Sequence, residues 1–568
     1  MHIDAVPNRD SRPTYLLRES VRDGQRVRKH TLANLSSLSD AQIFAIRAVL
    51  RGESVQPVSS LFEVLASRSH GQVQAVRVAM RRLGFEALIA ARPSRQRDLV
   101  GAMVAARVVA PHTKLATTRW WHTSTLAEEF GVIDADEDEL YEAMDWLLAH
   151  QDGIEKKLAA RHLRTGGLVL YDLSSSYFEG QCCPLAKRGY GRDGKKNKLQ
   201  VNYGLLTDPR GCPVSVSVYE GNTADSETLL PQIQRLREAF GIATVVIVGD
   251  RGMISQKSIE ELRELEAVQW ITALKSAQIR CLIEDGSLQL GLFDERNLFE
   301  FTHPEFPGER LIACRNPELA KLRAHKRRAL LQATAEELQK VRGMVENKKL
   351  SGSDRIGVRV GRVVNKYKVA KHFELEIEPH RFAFRISEAS VNGEAARDGI
   401  YILRTPLVAR EMDSAQVVRS YKSLSQVERA FRSMKTVDLK VRPIHHRLAD
   451  RVRAHIFLCV LAFYVEWHMR EAWRELMFAD EDQTAKATRD PVAPATRSAQ
   501  ALHKVATHTL PDGSPAHSFC TLLEELSMIV RNTCRAPESA ENAPTFTITT
   551  TPNPMQQRAL QLLDAIHL

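Results

Sequence analysis

Apolar and polar positions change their spacing several times along the chain, and each change predicts a change of element. Residues 14–31 alternate in the manner of a β-hairpin, with Asp23-Gly24 suited to a tight two-residue turn. From about Ser39 to Leu163 the spacing becomes helical. "SDAQIFAIRAVLRG" opens on a Ser39-Asp40 cap and stops at Gly52, and "DEDELYEAMDWLLAHQDGIEKKLAARHL" repeats apolar residues every three or four positions. The N-terminal region therefore reads as a hairpin followed by helices.

Strands and helices alternate from Gly167 to about Lys275. Leu168–Leu173 is a short apolar run, and "LQVNYGLLTD" and "PVSVSVYEG" follow as a hairpin pair turned at Asp208–Gly211. "DSETLLPQIQRLREAF" reads as a helix, "TVVIVGD" as a buried strand, "SQKSIEELREL" as a helix and "VQWITAL" as a strand. This order predicts an α/β fold with a mixed sheet flanked by helices. Residues 280–397 break the pattern with a charged helix near 316–347 and short strand-like pieces such as "RFAFRIS". It resumes at "DGIYILRT" (398–405) and a helix at about 413–436. The simplest organisation is one α/β domain interrupted by an inserted subdomain. The blocks are a hairpin-plus-helical region at 1–165, a first core part at 166–279, the insertion at 280–397, a second core part at 398–475 and a C-terminal region at 476–568. Residues 451–475 predict an apolar core helix, whereas 480–515 and 535–556, rich in Thr, Ala, Pro and Ser, predict loose order.

Composition narrows the partners more than the fold. A chain of 568 residues exceeds one hydrophobic core. No uninterrupted apolar run is long enough to cross a bilayer, and "MHIDAVPNRDSRP" lacks an apolar leader core, so the expected compartment is the cytoplasm. Eight cysteines without a CxxC pair make neither a disulfide framework nor a zinc motif. A net charge of +10 suits a nucleic-acid partner without requiring one.

Candidate chemistry begins at "GLVLYDLSSSYFEG" (167–180), where an apolar strand runs into Asp172. A carboxylate there is costly unless a cation or donors meet it. "TVVIVGDRGM" repeats the arrangement at Asp250, so two strands of one expected sheet both end in an Asp. A third acid lies in "SYKSLSQVERAFRSMKTVDL". On an ideal helix Tyr421, Leu424, Glu428, Phe431 and Lys435 share one stripe, which presents Glu428 on the sheet-facing side. Arg429, Arg432, Lys435, Lys440 and Arg442 beside it are placed to follow a phosphate backbone. Three carboxylates from two strand ends and a helix suit a hard divalent cation. Two such ions serve phosphodiester cleavage without His or Cys ligands.

These residues resemble the bacterial insertion-sequence transposases of the DDE type, which have a ribonuclease-H-like catalytic core. The likeness runs through "RWWHTSTLAEEFGV", "YDLSSSYFEG", "GNTADSETL", "VGDRGM", "DGIYILRT" and "YKSLSQVERAFRSMKTVDLKVRPIHH". It implies that Asp172, Asp250 and Glu428 are the catalytic, metal-binding acids, with Mg²⁺ as cofactor and Mn²⁺ as a substitute. It implies double-stranded DNA as partner, both terminal inverted repeats and target, and a homodimer bridging two ends, with no membrane and with action at the bacterial nucleoid. The family signature of Tyr, Arg, Glu and Lys is met by Tyr421, Glu428 and Lys435, while Leu424 stands at the Arg position. Arg429 or Arg432 is then expected to replace that Arg, and Arg251 to hold a phosphate or brace the acids. The 178-residue step from Asp250 to Glu428 resembles the family's β-rich insertion.

Neighbouring features carry plainer readings. Asn222–Ser226 reads as a helix cap, with Asp225 a weak candidate beside the acids. The loop "KRGYGRDGKKNK" (187–198) is equally a DNA contact or a solvated turn. His445 and His446 suit a phosphate contact or plain surface rather than zinc, and Trp120 and Trp121 suit a core. Competing functions are a related nuclease or resolvase, an inactive DNA-binding relative, and a phosphohydrolase using Asp172 as nucleophile. The last usually carries a second Asp two residues on, where this chain has Ser174.

Overall fold

The computed structural model describes residues 1–9, 11–53, 62–180, 182–195, 197–289, 293–493, 496–535 and 544–567. It divides into two compact units, Met1–Arg68 with Val530–Thr551, and Ser69–Ile529 with Pro552–Leu568.

In the first unit His2–Val6, Thr14–Asp23 and Arg26–Asn34 form an antiparallel sheet, and the Asp23↔Arg26 pairing closes the expected hairpin around Gly24 (φ +63°). Helix Asp40–Leu50 follows, started by a Ser39/Gln42 capping box. A second small sheet joins Glu63–Ser69, Val530–Arg535 and Thr545–Thr549. The helical reading of 39–163 missed its first strand, because "EVLASRS" finds its partner more than 450 residues away.

The second unit opens with a helical region that starts at Gly71–Arg82 and includes α1 (Arg95–Val109), α2 (Glu137–Ala149) and α3 (Gln151–His162). Leu99–Val108 of α1 are buried throughout, so this helix is apolar on every side and needs neighbours all round it. The main sheet consists of β1 (Leu168–Tyr177), β2 (Gln200–Thr207), β3 (Pro213–Glu220), β4 (Val245–Val248), β5 (Val268–Ala273), β6 (Leu298–Phe301), β7 (Arg310–Arg315) and β8 (Ile400–Thr405). Their spatial order is β6-β7-β8-β5-β4-β1-β2-β3. β1 pairs antiparallel with β2 and parallel with β4, β4 pairs parallel with β5, and β8 adds antiparallel to β5. Helix α4 (Leu229–Glu238) makes the crossover from β3 to β4, and α5 (Gln256–Arg263) that from β4 to β5. This is the mixed, helix-flanked sheet of a ribonuclease-H-like core.

The insertion is not β-rich. Its outer part is helix α6 (Pro317–Glu346) against α7 (Ser353–Tyr367), with the hairpin Phe373–Glu378/Arg381–Ile386. Leu331, Leu338, Val341, Val345, Ile356, Val360 and Phe382 give it a core of its own. The Ala, Leu, Lys, Arg and Gln content of α6 favours a long helix, and Asn316 caps its start. Among the described residues, only β6 and β7 carry strand character from the insertion into the main sheet.

Beyond β8 come α8 (Ser414–Lys422), α9 (Leu424–Arg432) and α10 (Ala449–Ala472). α10 is the one described helix long and apolar enough to cross a membrane, yet 89% of its apolar window is buried within the protein, where it packs on α1, α2 and β3. The described residues of 480–515 carry more regular structure than composition suggests, while 494–495 and 536–543 of the two stretches expected to be loosely ordered lie outside the described residues. Helix Ala499–Thr507 is held by buried Lys504, whose ammonium donates to the carbonyls of Glu475 (2.9 Å) and Met477 (3.2 Å).

Candidate active site

Asp172 does not end its strand. β1 runs on through Ser174–Ser176 to Tyr177, and Asp172 sits opposite Leu205 of β2. The strand continues because two of the serines find partners: Ser176 Oγ lies 2.9 Å from the Tyr203 hydroxyl of β2, and Ser175 Oγ accepts from the Arg192 N–H at 3.1 Å. Asp250 does lie past a strand end, two residues after Val248. The parallel register aligns Leu170 with Val248, so Asp172 and Asp250 each lie two residues further along neighbouring strands. That register brings the two carboxylates side by side.

Asp250 is fixed by its own turn, Oδ1 accepting from the N–H groups of Gly252 (3.0 Å) and Met253 (2.8 Å). One oxygen of Asp172 accepts from the Leu173 N–H at 2.8 Å. Burial, then the negative charge of Asp250 and more weakly of Glu428, pushes the Asp172 carboxyl up to about 7, against the Leu173 hydrogen bond and Arg192. Such repulsion between acids is relieved by a cation.

Glu428 departs from the ideal stripe. α8 ends at Lys422, and α9 starts afresh at Leu424 after Ser423, so no single helix carries Tyr421 and Glu428 in phase. α9 buries Val427, Ala430 and Phe431 against the sheet, with the Phe431 ring edge-on to Tyr203 at 5.7 Å. This leaves Glu428 exposed, at the rim rather than under the helix, where its charge still reaches Asp172. Tyr421 stands among all three acids. Its phenol is pushed up to about 12 by burial first, then by Asp250, Glu428 and Asp172, while Arg251 opposes them.

Residues outside the sequence-level set also belong here. Arg192 forms an ion pair with Asp225 and lies close enough to Asp172 to lower its pKa. A side chain at Gly252 would sit 3.3 Å from Asp250 Oδ1 and 3.8 Å from Asp225 Oδ2, so Asp225 borders the acids rather than capping α4. Asp193, whose side chain is 4% exposed, accepts from the Tyr177 N–H (3.0 Å) and from Lys435 Nζ (3.1 Å), and pairs with Arg442. The basic loop signalled itself in sequence, but not which way each residue turns: Arg192 and Asp193 face in, and Tyr190 is 84% exposed.

The remaining predicted contacts divide. Lys435 is buried in a π-helical turn and committed to Asp193. Arg429 and Arg432 reach solvent with part of their side chains and group with Arg470 and Arg474; partial burial of the Arg429 guanidinium, then the charges of Arg432, Arg474 and Arg470, lower its pKa. Arg251 is exposed beside Tyr421. Leu424, at the departed signature position, packs on the core. His445 is exposed, while His446 is held between Tyr141 and His455 at ring distances of 6.1 and 5.0 Å. Trp121 is fully buried and Trp120 packs against the same core.

Comparison with known proteins covers both units. Residues 168–465 match the family model of the transposase DDE domain, and residues 4–57 match that of the IS1634 family transposase N-terminal domain. No curated protein matches the chain. Among solved structures, the piggyBac transposase synaptic complex with hairpin DNA aligns over 81% of this chain and 76% of that one, at 9% identity and a TM-score of 0.32. The Mos1 transposase paired-end complex with the left transposon end aligns over 34% and 62%, at 14% identity and a TM-score of 0.14. Both likenesses are too distant to assign residues.

Proposed function

The chain belongs to the transposase DDE-domain family and is a DNA transposase, and on that premise we propose that Asp172, Asp250 and Glu428 are its catalytic acids. The observation that carries this reading is the aligned register of β1 and β4, with the Asp172 carboxyl raised by Asp250 and Glu428. The donors fit a divalent metal. They are hard carboxylate oxygens in mutual repulsion, and the cation nearest Asp172, Arg192, is paired to Asp225. Mg²⁺ is the proposed ion, with Mn²⁺ as substitute; bound there, it supplies activation of a water or 3′-hydroxyl and charge stabilisation at the leaving oxygen.

The chain's own groups do the rest. Asp172 and Asp250 hold fixed positions through the sheet register and the Gly252–Met253 turn, and Glu428 closes the site from the rim of α9. Tyr421, kept neutral by burial and then by the surrounding acids, offers a hydroxyl to a scissile-strand phosphate. Arg251, Arg429 and Arg432 contact the DNA backbone, and Lys435 joins them by exchanging Asp193 for a phosphate. The substrates are the element's terminal inverted repeats and a target duplex, held by a homodimer acting at the bacterial nucleoid.

Asp172→Asn, Asp250→Asn and Glu428→Gln in the full chain test the reading, with linear DNA carrying the element ends, target DNA and Mg²⁺. Each variant should lose end cleavage and strand joining by at least about a thousandfold while still binding the ends. Wild-type activity in any one removes that residue from the set. Light scattering of the end complex should give two protomers, and a single protomer would overturn the dimer.

A further inference from the structure

Away from the acids, three residues distant in sequence meet beneath α10. His162 is the last residue of α3, Cys212 immediately precedes β3, and His468 lies on the inner face of α10. Cys212 Sγ lies 3.8 Å from His468 Nε2 and 4.0 Å from His162 Nε2, and the three ligand atoms all fall within 4.8 Å of one another. Tetrahedral zinc, at about 2.3 Å from sulfur and about 2.0 Å from nitrogen, sets sulfur and nitrogen ligands about 3.5 Å apart. The sulfur–nitrogen distances need only a few tenths of an ångström of closure, and the two imidazole nitrogens, within 4.8 Å of each other against about 3.3 Å in a tetrahedral site, close further by a turn of the rings.

We infer that His162, Cys212 and His468 form a structural site for a borderline-soft divalent cation, zinc by preference, that ties α3, β3 and α10 together. It is separate from the acidic site in place and in ligand chemistry, and it does not depend on how those acids act. Carboxylate oxygens select Mg²⁺ or Mn²⁺, whereas one thiolate with two imidazoles selects zinc or cobalt.

On binding, the cation displaces the Cys212 proton: the S–H bond breaks, a sulfur–metal bond forms, and the proton passes to buffer. The Asp208 carboxylate, which accepts from the Cys212 N–H at 2.9 Å and is paired with Arg210, fixes the backbone of Cys212 at the cluster. The Tyr464 hydroxyl, 3.1 Å from His162 Nε2, is the fourth group at the cluster. Sequence inspection misses such a site because its ligands come from three elements, 50 and 256 residues apart.

Cobalt titration of the chelator-treated full chain, with Mg²⁺ in excess to occupy the acids, provides the test. One equivalent of Co²⁺ should produce a near-ultraviolet thiolate-to-cobalt charge-transfer band that zinc abolishes. Oxygen ligands give no such band. The wild-type spectrum alone decides the first point, so no variant need fold: absence of the band overturns the site. Cys212→Ser should lose the band, and its persistence would place the thiolate elsewhere and overturn the assignment. His162→Gln, altering a half-buried residue at a helix end, should weaken cobalt binding by at least about tenfold. Unchanged affinity in that variant also overturns it.

Discussion

Asp193→Ala gives the sharpest test of how the Glu428 helix is held. Asp193 is the sole carboxylate recorded against Lys435 and Arg442 among the described residues, and it also accepts the Tyr177 N–H. Its side chain is 4% exposed, that of Lys435 10% and that of Arg442 20%. Removing one partner of a buried ion pair costs about 3–5 kcal/mol, because the other charge stays buried. Arg442 is exposed enough to turn partly to water, so the lower end, about 3 kcal/mol, applies. The loss is local, falling where the end of β1 meets the 441–444 segment through Glu179 N–H to Ile444 O (3.0 Å) and Ile444 N–H to Tyr177 O (3.1 Å). Hydrogen exchange read by mass spectrometry should show these two amides losing protection by on the order of a hundredfold, while β4 and β5 hold theirs. The deficit should depend on pH. Burial lowers the Lys435 pKa and Asp193 opposes that, so the variant lowers it further, Arg442 and Arg192 acting in the same direction. A folded-state lysine pKa below the unfolded value makes the unfolded chain bind more protons, so stability rises with pH up to about 10.4. The deficit should therefore shrink as pH rises. A protection change under about tenfold, or a deficit that grows with pH, would refute the reasoning.

Glu466, fully buried with Oε2 unpartnered, has its carboxyl raised to about 7 by burial against Arg470. The folded state thus holds the proton more tightly. Its stabilising contribution is complete below the unfolded value of 4.5 and is lost as pH rises through about 7. Glu466→Gln should remove a pH-dependent loss of about 3 kcal/mol, seen as a flatter melting temperature between those two values. Gly204→Ala would place a methyl 2.1 Å from the Tyr171 hydroxyl oxygen in the buried sheet, and should cost about 1–3 kcal/mol in urea unfolding. Phe431→Ala removes the ring that anchors α9 on Tyr203, and should cost about 3–5 kcal/mol and loosen divalent-metal binding through Glu428, read by calorimetry.

Much of the core was legible because its signals are local. "LVLY", "VVIV" and "VQWITA" are short buried strands bounded by polar residues, and Asp172 and Asp250 stand out by their place beside the first two runs. What was illegible depended on distant partners. The end of β1 could not be read at Ser174–Ser176, since Tyr203 and Arg192 supply the contacts that keep those residues extended. The rim position of Glu428 depends on a helix break at Ser423, which an ideal periodicity cannot show. Asp225 reads as a cap until Arg192 is placed against it. The strand at Glu63 needs Val530–Arg535 to exist at all.

The central claim is that Asp172, Asp250 and Glu428 converge on one divalent metal centre. Iron(II) loaded in place of Mg²⁺, with ascorbate and peroxide, cuts a polypeptide backbone only beside the bound ion, and mass spectrometry locates the cuts. The account predicts cleavage near all three residues together, suppressed by excess Mg²⁺ and lost in Asp172→Asn. Cuts near one acid alone, or a pattern indifferent to Mg²⁺ and to that substitution, would contradict it.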